Sequence, residues 1–502
     1  MLFWVWLILL GLITYVVIRR NVAHLTRTPV WLLWLVMMIP ALTWVGWALL
    51  NGQQQPIPTV LVIIPLVASP ILYWVLVQQG RLTPPDATPK PEDLTFPEAV
   101  AESLPETAPQ ATPLRPITKA EESQLHGCFP WSVYYLQDIE YRPQAVVCRG
   151  QLRTQPEVAY ERVRHNIEQL FGDRFLLVFQ DGSNGKPFFA LVPNPQAGNR
   201  SAANVYNRTW TALGLLLITL FTTTLAGVAL AGVETAAAQR DPGLLLHGLP
   251  YAITLLTILG THEMGHYLTA RYYQLRATLP YFIPVLPFSF FPLGTLGAFI
   301  QIRSPMPNRK VLFDVGIMGP IAGWVVSLPF LLWGISHSQV VPLSTEFGKT
   351  SGLSFQELDP KISLLLMLIT KGIWGSELGL NSGISLHPVA IAGCIGLVVT
   401  ALNLMPVGQL DGGHIVHAMY GQRAGAAIGQ IARLLILLLS LLQPYLLIWA
   451  IILFFMPTMD EPALNDVSEL DNWRDCFGLL ALGLLVLIVL PTPAIVSRWL
   501  LG

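Results

Sequence analysis

Two histidines four residues apart, with a glutamate beside the first, are the side chains best placed by type and spacing to do chemistry: His262-Glu263-Met264-Gly265-His266. Residues at i and i+4 share one face of an α-helix, so both imidazoles can reach a single metal ion. Glu263, one position along, is close enough to take a proton from water held at that ion. Zinc lowers the pKa of such a water toward about 7, and a carboxylate then has only to accept the proton and pass it to a leaving amine. The motif is short, and with ten His in 502 residues a chance match should arise in roughly one such chain in a hundred. The competing reading, two histidines packed in a bundle, is weak here because ionisable groups within an apolar run are costly and tend to be functional.

Zinc needs a third protein ligand and an open position. The other stretch with suitable groups is ALNLMPVGQLDGGHIVHAMYG, at the end of a later apolar run. Asp411 lies there beside Gly412 and Gly413, and Pro406 and Gly408 let the backbone break and aim it. On spacing alone, Asp411 is equally well a capping acid at the membrane boundary. His414 and His417 are either ligands or ordinary boundary histidines. Asn403 either donates a hydrogen bond to substrate or bonds a neighbouring helix.

The elements that must position these groups are membrane spans. The chain is 53% hydrophobic and 12% charged, with a mean hydropathy of +0.54. A soluble domain would carry about twice that charge. The net charge of −1 points to no nucleic-acid partner. None of the four Cys forms a CxxC pair, which argues against a thiolate zinc site. Cys128 and Cys148 share one polar region, but that region reads as cytosolic, where a disulfide is disfavoured.

A hydrocarbon core of about 30 Å needs roughly 20 apolar residues in a helix. Such runs give nine expected spans: 2–18, 30–50, 57–78, 207–231, 244–270, 311–335, 387–408, 428–456 and 476–493. The run 361–373 is short and reads as a surface or partly inserted helix. The N-terminal run lacks a basic region before it and a cleavage site after it, so it reads as a retained span and not a signal peptide. Arg19, Arg20, Arg27, Arg271, Arg276, Arg303, Arg309, Lys310, Arg423 and Arg498 all fall on one side if the N-terminus is outside and the C-terminus inside. That arrangement places the polar connection 79–206 in the cytosol and the acidic segment 457–475 outside. It also brings the late residues of spans 244–270 and 387–408 to similar depth, so that Asp411 can approach His262 and His266.

Residues 79–117 hold nine prolines and read as an extended tether. Residues 118–195 differ: two strands, a helix with apolar residues at helical spacing (PEVAYERVRHNIEQLFG), then two strands around DGSNGKP, a small α+β domain without a catalytic set. The expected organisation is three N-terminal spans over 1–78, the tether, this soluble domain, a catalytic membrane core over 205–425 and C-terminal spans over 426–502.

These residues resemble the site-2 protease family of intramembrane zinc metalloproteases. That family carries HExxH on one membrane helix and Asn-Pro followed by Asp-Gly on a later one, matched here by Asn403-Leu404-Met405-Pro406 and Leu410-Asp411-Gly412. The resemblance implies that Asp411 is the third zinc ligand. A Gly-xxx-Gly motif on the intervening helix is matched by Gly319 and Gly323, which permits close helix packing. The resemblance covers roughly 240–425 and looks nearest to the plastid and cyanobacterial, greening-associated branch. The interval 270–400 has no room for the PDZ domain that many members carry.

The run 278–303 holds four prolines and is not a regular span. Its TLGAFIQIRS portion reads as a strand in a re-entrant hairpin, tolerated at membrane depth only against protein or water. Residues 295–302, centred on Ala298 and Phe299, could bind an unwound substrate by strand addition, or could simply cover the site.

The expectation is a multi-pass α-helical membrane protein with a re-entrant β-like segment and a small cytosolic α+β domain. It would use Zn2+ to hydrolyse peptide bonds in or near the spans of a membrane-protein substrate. His262, His266 and Asp411 would hold the metal, Glu263 would be the base and Asn403 a helper. Its partners are that substrate and the lipid bilayer, with no nucleic acid and no oligomeric state implied. Its place is a bacterial, cyanobacterial or plastid membrane, with the soluble domain on the cytosolic or stromal side. The alternatives are a membrane metal carrier using the same ligands, and a catalytically silent chaperone or scaffold.

Overall fold

The computed structural model of the protein describes residues 11–12, 14–15, 18–19, 26, 28–51, 58–80, 117–142, 145–182, 185–194, 197, 209–233, 240–287, 292–342, 357–443 and 446–501. Most of the expected span 2–18 and of the Pro-rich tether lies outside these residues. The chain divides into two compact units, Met1–Gln110 with Leu438–Ile451, and Ala111–Leu437 with Ile452–Gly502.

In the first unit, α1 (Val30–Asn51) and α2 (Thr59–Gln79) lie side by side. Ser69 Oγ donates to Val36 O at 2.7 Å and Thr28 Oγ1 to Leu76 O at 2.7 Å, a pattern that makes the pair antiparallel. In an apolar medium these hydroxyls have no water to bond, so helix carbonyls accept from them.

The second unit begins with α3 (Lys119–Gly127), started by a capping box in which Thr118 and Glu121 satisfy each other's backbone N–H groups. Strands β1 (Tyr134–Arg142) and β2 (Ala145–Leu152), helix α4 (Pro156–Phe171), and strands β3 (Phe175–Asp181) and β4 (Pro187–Pro193) follow in the order read from the sequence. The four strands form one antiparallel sheet, β1-β2-β4-β3. Helix α4 starts on Pro156, ends at Gly172 with φ +63°, and buries Ala159, Tyr160, Val163, Ile167 and Phe171 on one face. Its apolar face and the sheet enclose Tyr134, Phe179 and Phe189, which are fully buried. Cys128 and Cys148 are both buried and free.

The helices α5 (Thr209–Leu230), α6 (Leu249–Tyr272) and α7 (Arg309–Ser336) come next, with a hairpin of β5 (Tyr281–Pro284) and β6 (Thr295–Phe299) between α6 and α7. Strands β7 (Gln339–Pro342), β8 (Glu357–Leu358) and β9 (Ser382–Ser385) form a small sheet, and α8 (Leu364–Trp374) lies between β8 and β9 in the chain. Helix α9 (Pro388–Leu404) breaks before α10 (Asp411–Tyr420), and α11 (Gln422–Leu442), α12 (Leu447–Phe455), α13 (Asn472–Val489) and α14 (Ala494–Leu501) complete the chain. Among the described residues, six stretches are long and apolar enough to cross a membrane: Val30–Trp47, Thr209–Leu230, Pro242–Tyr272, Arg309–Ser336, Gln422–Leu441 and Asn472–Val489. Helix α9, at 17 residues, is shorter and largely buried among its neighbours.

Three expectations about the C-terminal part are corrected. The run 428–456 is not one span. It is α11 and α12, and the chain doubles back so that Arg433 donates to Met456 O and Pro457 O at 2.8 and 2.7 Å. The acidic segment 457–475 does not lie opposite the soluble domain. Phe179 N donates to Leu464 O at 2.7 Å and Asp466 N to Phe179 O at 2.9 Å, which joins that segment to β3. The end of α13 is then on the opposite side from the one expected. Leu364 N bonds Leu490 O, and Thr492 N bonds Lys361 O, tying residues 490–492 to the connection between α7 and α9. A run that returns to the side it left makes no net crossing, and this reverses the expected side of everything that follows it.

Candidate metal centre

Helix α6 delivers His262, Glu263 and His266, all buried, from its last three turns. The Nε2 atoms of the two histidines are 3.3 Å apart. Asp411 Oδ2 lies 3.4 Å from His262 Nε2 and 3.2 Å from His266 Nε2. A tetrahedral zinc with bonds of about 2.0–2.1 Å separates its ligand atoms by about 3.3 Å, so the three ligand atoms have the spacing of three corners of that tetrahedron. Among the described residues this is the one group of three or more His, Cys, Asp or Glu side chains so gathered. Two neutral imidazoles and a carboxylate, with no thiolate, form a donor set suited to zinc with one position left open.

The surroundings fix the three side chains. His266 Nδ1 donates to Val315 O at 2.7 Å, which leaves its Nε2 lone pair facing the other two ligand atoms. Gly319 and Gly323 lie under the histidine rings. A Cβ at Gly319 would overlap the His266 ring at Nε2, Cε1 and Cδ2, and one at Gly323 would come within 3.0 Å of His262 Nδ1. The sequence reading gave this pair to helix packing. Here their missing side chains are the space in which the imidazoles sit.

Asp411 is aimed by the break after α9. That helix stops at Leu404, Pro406 is buried in the turn, and Gly408 takes φ +54°, a left-handed conformation in which its backbone meets the Pro457 carbonyl. A Cβ at Gly412 would overlap the Leu404 carbonyl, so only glycine lets α10 start this close to the end of α9. Asn403 Nδ2 is 3.0 Å from His262 Nε2, which brings the Asn403 amide to the edge of the ligand group.

Glu263 faces the hairpin, where the backbone N–H of Ile300, just past β6, is directed at its carboxylate. Strand β6 pairs antiparallel with β5 through Tyr281↔Phe299 and Phe282↔Ala298. The turn of the hairpin is bolted to helices: Thr222 Oγ1 donates to Gly294 O at 2.7 Å and Tyr251 Oη to Leu293 O at 3.0 Å.

His414 and His417 point away from the ligand group. His414 Nδ1 bonds Asp460 Oδ2 at 2.8 Å, His417 Nδ1 bonds the same oxygen at 2.7 Å, and His417 Nε2 bonds Asp466 Oδ1 at 2.8 Å. Burial pushes the pKa of His417 down, but the hydrogen bonds to Asp460 and Asp466 outweigh it and raise the value to about 9. Sequence reasoning did not single out Asp460 or Asp466, because the segment holding them was placed on the far side. We expect Asp411→Ala to lower zinc occupancy of the purified protein sharply and His414→Ala to leave it near wild type, measured by metal analysis. The reverse order would move the centre by one turn of α10.

Residues 250–443 match the model of Peptidase family M50, and residues 123–199 match the EGY3 middle domain. "Probable zinc metalloprotease EGY2, chloroplastic" of Arabidopsis thaliana is 28% identical over 369 residues, 73% of this chain and 63% of that protein. "Probable zinc metalloprotease EGY1, chloroplastic" of the same plant is 27% identical over 377 residues, 69% of this chain and 66% of that protein. "Probable zinc metalloprotease EGY3, chloroplastic" of Oryza sativa subsp. indica is 24% identical over 386 residues, 74% of this chain and 64% of that protein. The chain thus spans slightly less than two thirds of the length of these relatives. No solved structure matches it. Both histidines, the glutamate and Asp411 fall within the stretch 250–443 that matches the Peptidase family M50 model.

Proposed function

We propose that this protein is an intramembrane zinc metalloprotease that hydrolyses peptide bonds in or near the membrane spans of other proteins, as in regulated intramembrane proteolysis. The observation that carries this reading is the meeting of His262, His266 and Asp411 at tetrahedral spacing with Glu263 beside them. The family match and the named chloroplast metalloproteases support it. Bound zinc supplies Lewis acidity toward a carbonyl and acidifies a water molecule. Glu263 accepts that proton on its carboxylate and passes it to the leaving amide nitrogen. Asn403 orients the reacting group through its amide. A metal carrier would need ligands strung along a path, whereas the described residues hold one such group. A silent scaffold would have no use for a carboxylate held against a strand edge. The membrane is of the plastid type or its cyanobacterial counterpart, with the domain 118–195 on the cytosolic or stromal side.

The hairpin gives the substrate a path. Thr222, which holds its turn, is thirteen residues into α5, about 20 Å along that helix. This depth supports the reading of a re-entrant hairpin, its polar backbone set beside α5 and α6. A scissile bond in a helix has its amides tied up, and unwinding in lipid leaves backbone groups unpaired at several kcal/mol each. The edge of β6 away from β5 supplies partners for them by strand addition. Along an extended strand successive N–H groups point to opposite edges, so Ala298 shares the free edge with Ile300, and Phe299 faces β5.

The test is cleavage of a single-span substrate by the protein reconstituted in vesicles, with the cut mapped by mass. A cut within or at the border of the hydrophobic stretch is expected; cleavage of soluble peptides alone would refute the reading. Ala298→Pro should slow cleavage of an ordinary helical span about 10-fold or more with zinc content unchanged, the loss of one or two backbone bonds at roughly 1 kcal/mol each. Activity should recover partly on spans already loosened by Gly or Pro. Phe299→Pro should also impair cleavage, but with damage to the hairpin. Wild-type rates in both variants would reduce the segment to a cover over the site.

A further inference from the structure

Helix α10 is ten residues long and starts on a metal ligand. So short a helix does not hold its own position, and whatever grips its body decides where Asp411 points. The grip comes from a distant segment. Asp460 takes His414 and His417 at once on Oδ2, and Asp466 takes the other nitrogen of His417. With carboxylates on both nitrogens, His417 carries both protons and is an imidazolium between two anions. A buried charge cluster of this kind is poor value as stability, and its best-attested use is to fix register. Here His414 and His417 stand three and six residues from Asp411 on the same helix.

The same segment is stitched to the soluble domain. Asp466 N donates to Phe179 O at 2.9 Å, Phe179 N donates to Leu464 O at 2.7 Å, and Leu464 packs on the core of that domain. Arg423 Nη1, just beyond α10, reaches Gly182 O at 2.9 Å, at the end of β3. A continuous set of bonds therefore runs from β3 through residues 460–466 into α10 and to Asp411.

We infer that Asp460, Asp466 and His417 form a clasp through which the α+β domain positions Asp411 and so sets the zinc affinity of the centre. This rests on Asp411 being a zinc ligand, as proposed above. Binding linkage is reciprocal: if the clasp strengthens zinc binding, zinc tightens the clasp and its bonds to β3. A partner that docks on the soluble domain would act on the protease by this route. His417 is a positioning residue, since it touches neither metal nor substrate.

The experiment uses the full chain in detergent or nanodiscs and zinc alone. Zinc affinity is read by competition with a chromophoric chelator. His417→Ala and Asp466→Ala should bind about 10- to 100-fold more weakly, the usual loss when a ligand's outer support is removed. Asp466→Asn, which keeps an acceptor, should stay close to wild type. Hydrogen exchange supplies a readout that mere structural support would not move. In the wild type, stripping zinc should speed exchange at the amides of Phe179 and Asp466 and leave Cys148 unchanged; in His417→Ala those two amides should no longer respond to zinc. Wild-type affinity in the folded alanine variants overturns the inference, and so does wild-type exchange indifferent to zinc, a measurement that decides even if a variant fails to fold. A wild type that holds no zinc removes the protease reading and the coupling together; zinc-loaded wild type with unaffected variants removes the coupling alone.

Discussion

Glu263→Gln is expected to retain zinc and to lose proteolysis. The substitution keeps the volume and the contact with the Ile300 backbone, and removes only a proton acceptor. General-base catalysis is worth about 10²- to 10⁴-fold, and cleavage should fall by at least that much. His262→Ala and His266→Ala should lose zinc and activity together, because each removes one of the three proposed ligand atoms, which lie within 3.4 Å of each other. Zinc content and cleavage rate measured on the same preparations separate the two classes. Undiminished cleavage by Glu263→Gln would mean that another group is the base.

The second large effect comes from a methyl group. A Cβ at Gly319 would lie within 2.4 Å of three atoms of the His266 ring, an overlap that no small shift relieves. The ring is also held by its bond to Val315 O, which it must break to move. Gly319→Ala should therefore displace a ligand, with zinc affinity down about 100-fold, at the upper end of what disturbing a ligand's support costs, and cleavage lost. Gly323→Ala should be milder, since its nearest contact is 3.0 Å from the His262 ring and needs a shift of tenths of an ångström. Gly372→Ala, with nothing near its Cβ in α8, serves as the control and should leave both readouts unchanged. Equal zinc affinity in Gly319→Ala and wild type would show that the ring does not sit where the structure puts it.

What was legible in the sequence was what is local. His262, Glu263 and His266 announce themselves because one helical turn gathers them. Asp411 is far along the chain, and spacing left it level with a capping acid and with His414 as the ligand; the Asp-Gly resemblance, not periodicity, separated them. Gly319 and Gly323 were visible as a small-residue pattern, but the sequence offers no way to tell a glycine that admits a helix from one that admits an imidazole. The strand at 295–302 was read from its composition, and β6 occupies Thr295–Phe299 within it.

The clasp was not legible, for a reason that can be traced to one run. The apolar stretch 428–456 was counted as a single crossing, although Gln443-Pro444 interrupts its middle and 29 residues are more than a span requires. That count put Asp460 and Asp466 across the membrane from His417 and hid the contact. Positive charge gave a divided signal, since Arg474 precedes the last apolar run and Arg498 follows it, and only Arg498 was counted.

The central claim, a zinc-dependent protease built on His262, His266 and Asp411, is tested most directly by removing the metal and returning it. The reconstituted wild type is stripped with a chelator, and cleavage of a single-span substrate is followed as zinc is added back. The expected result is cleavage lost on stripping and restored in proportion to zinc until one ion per chain is bound. Cleavage that survives complete removal of zinc would contradict the account.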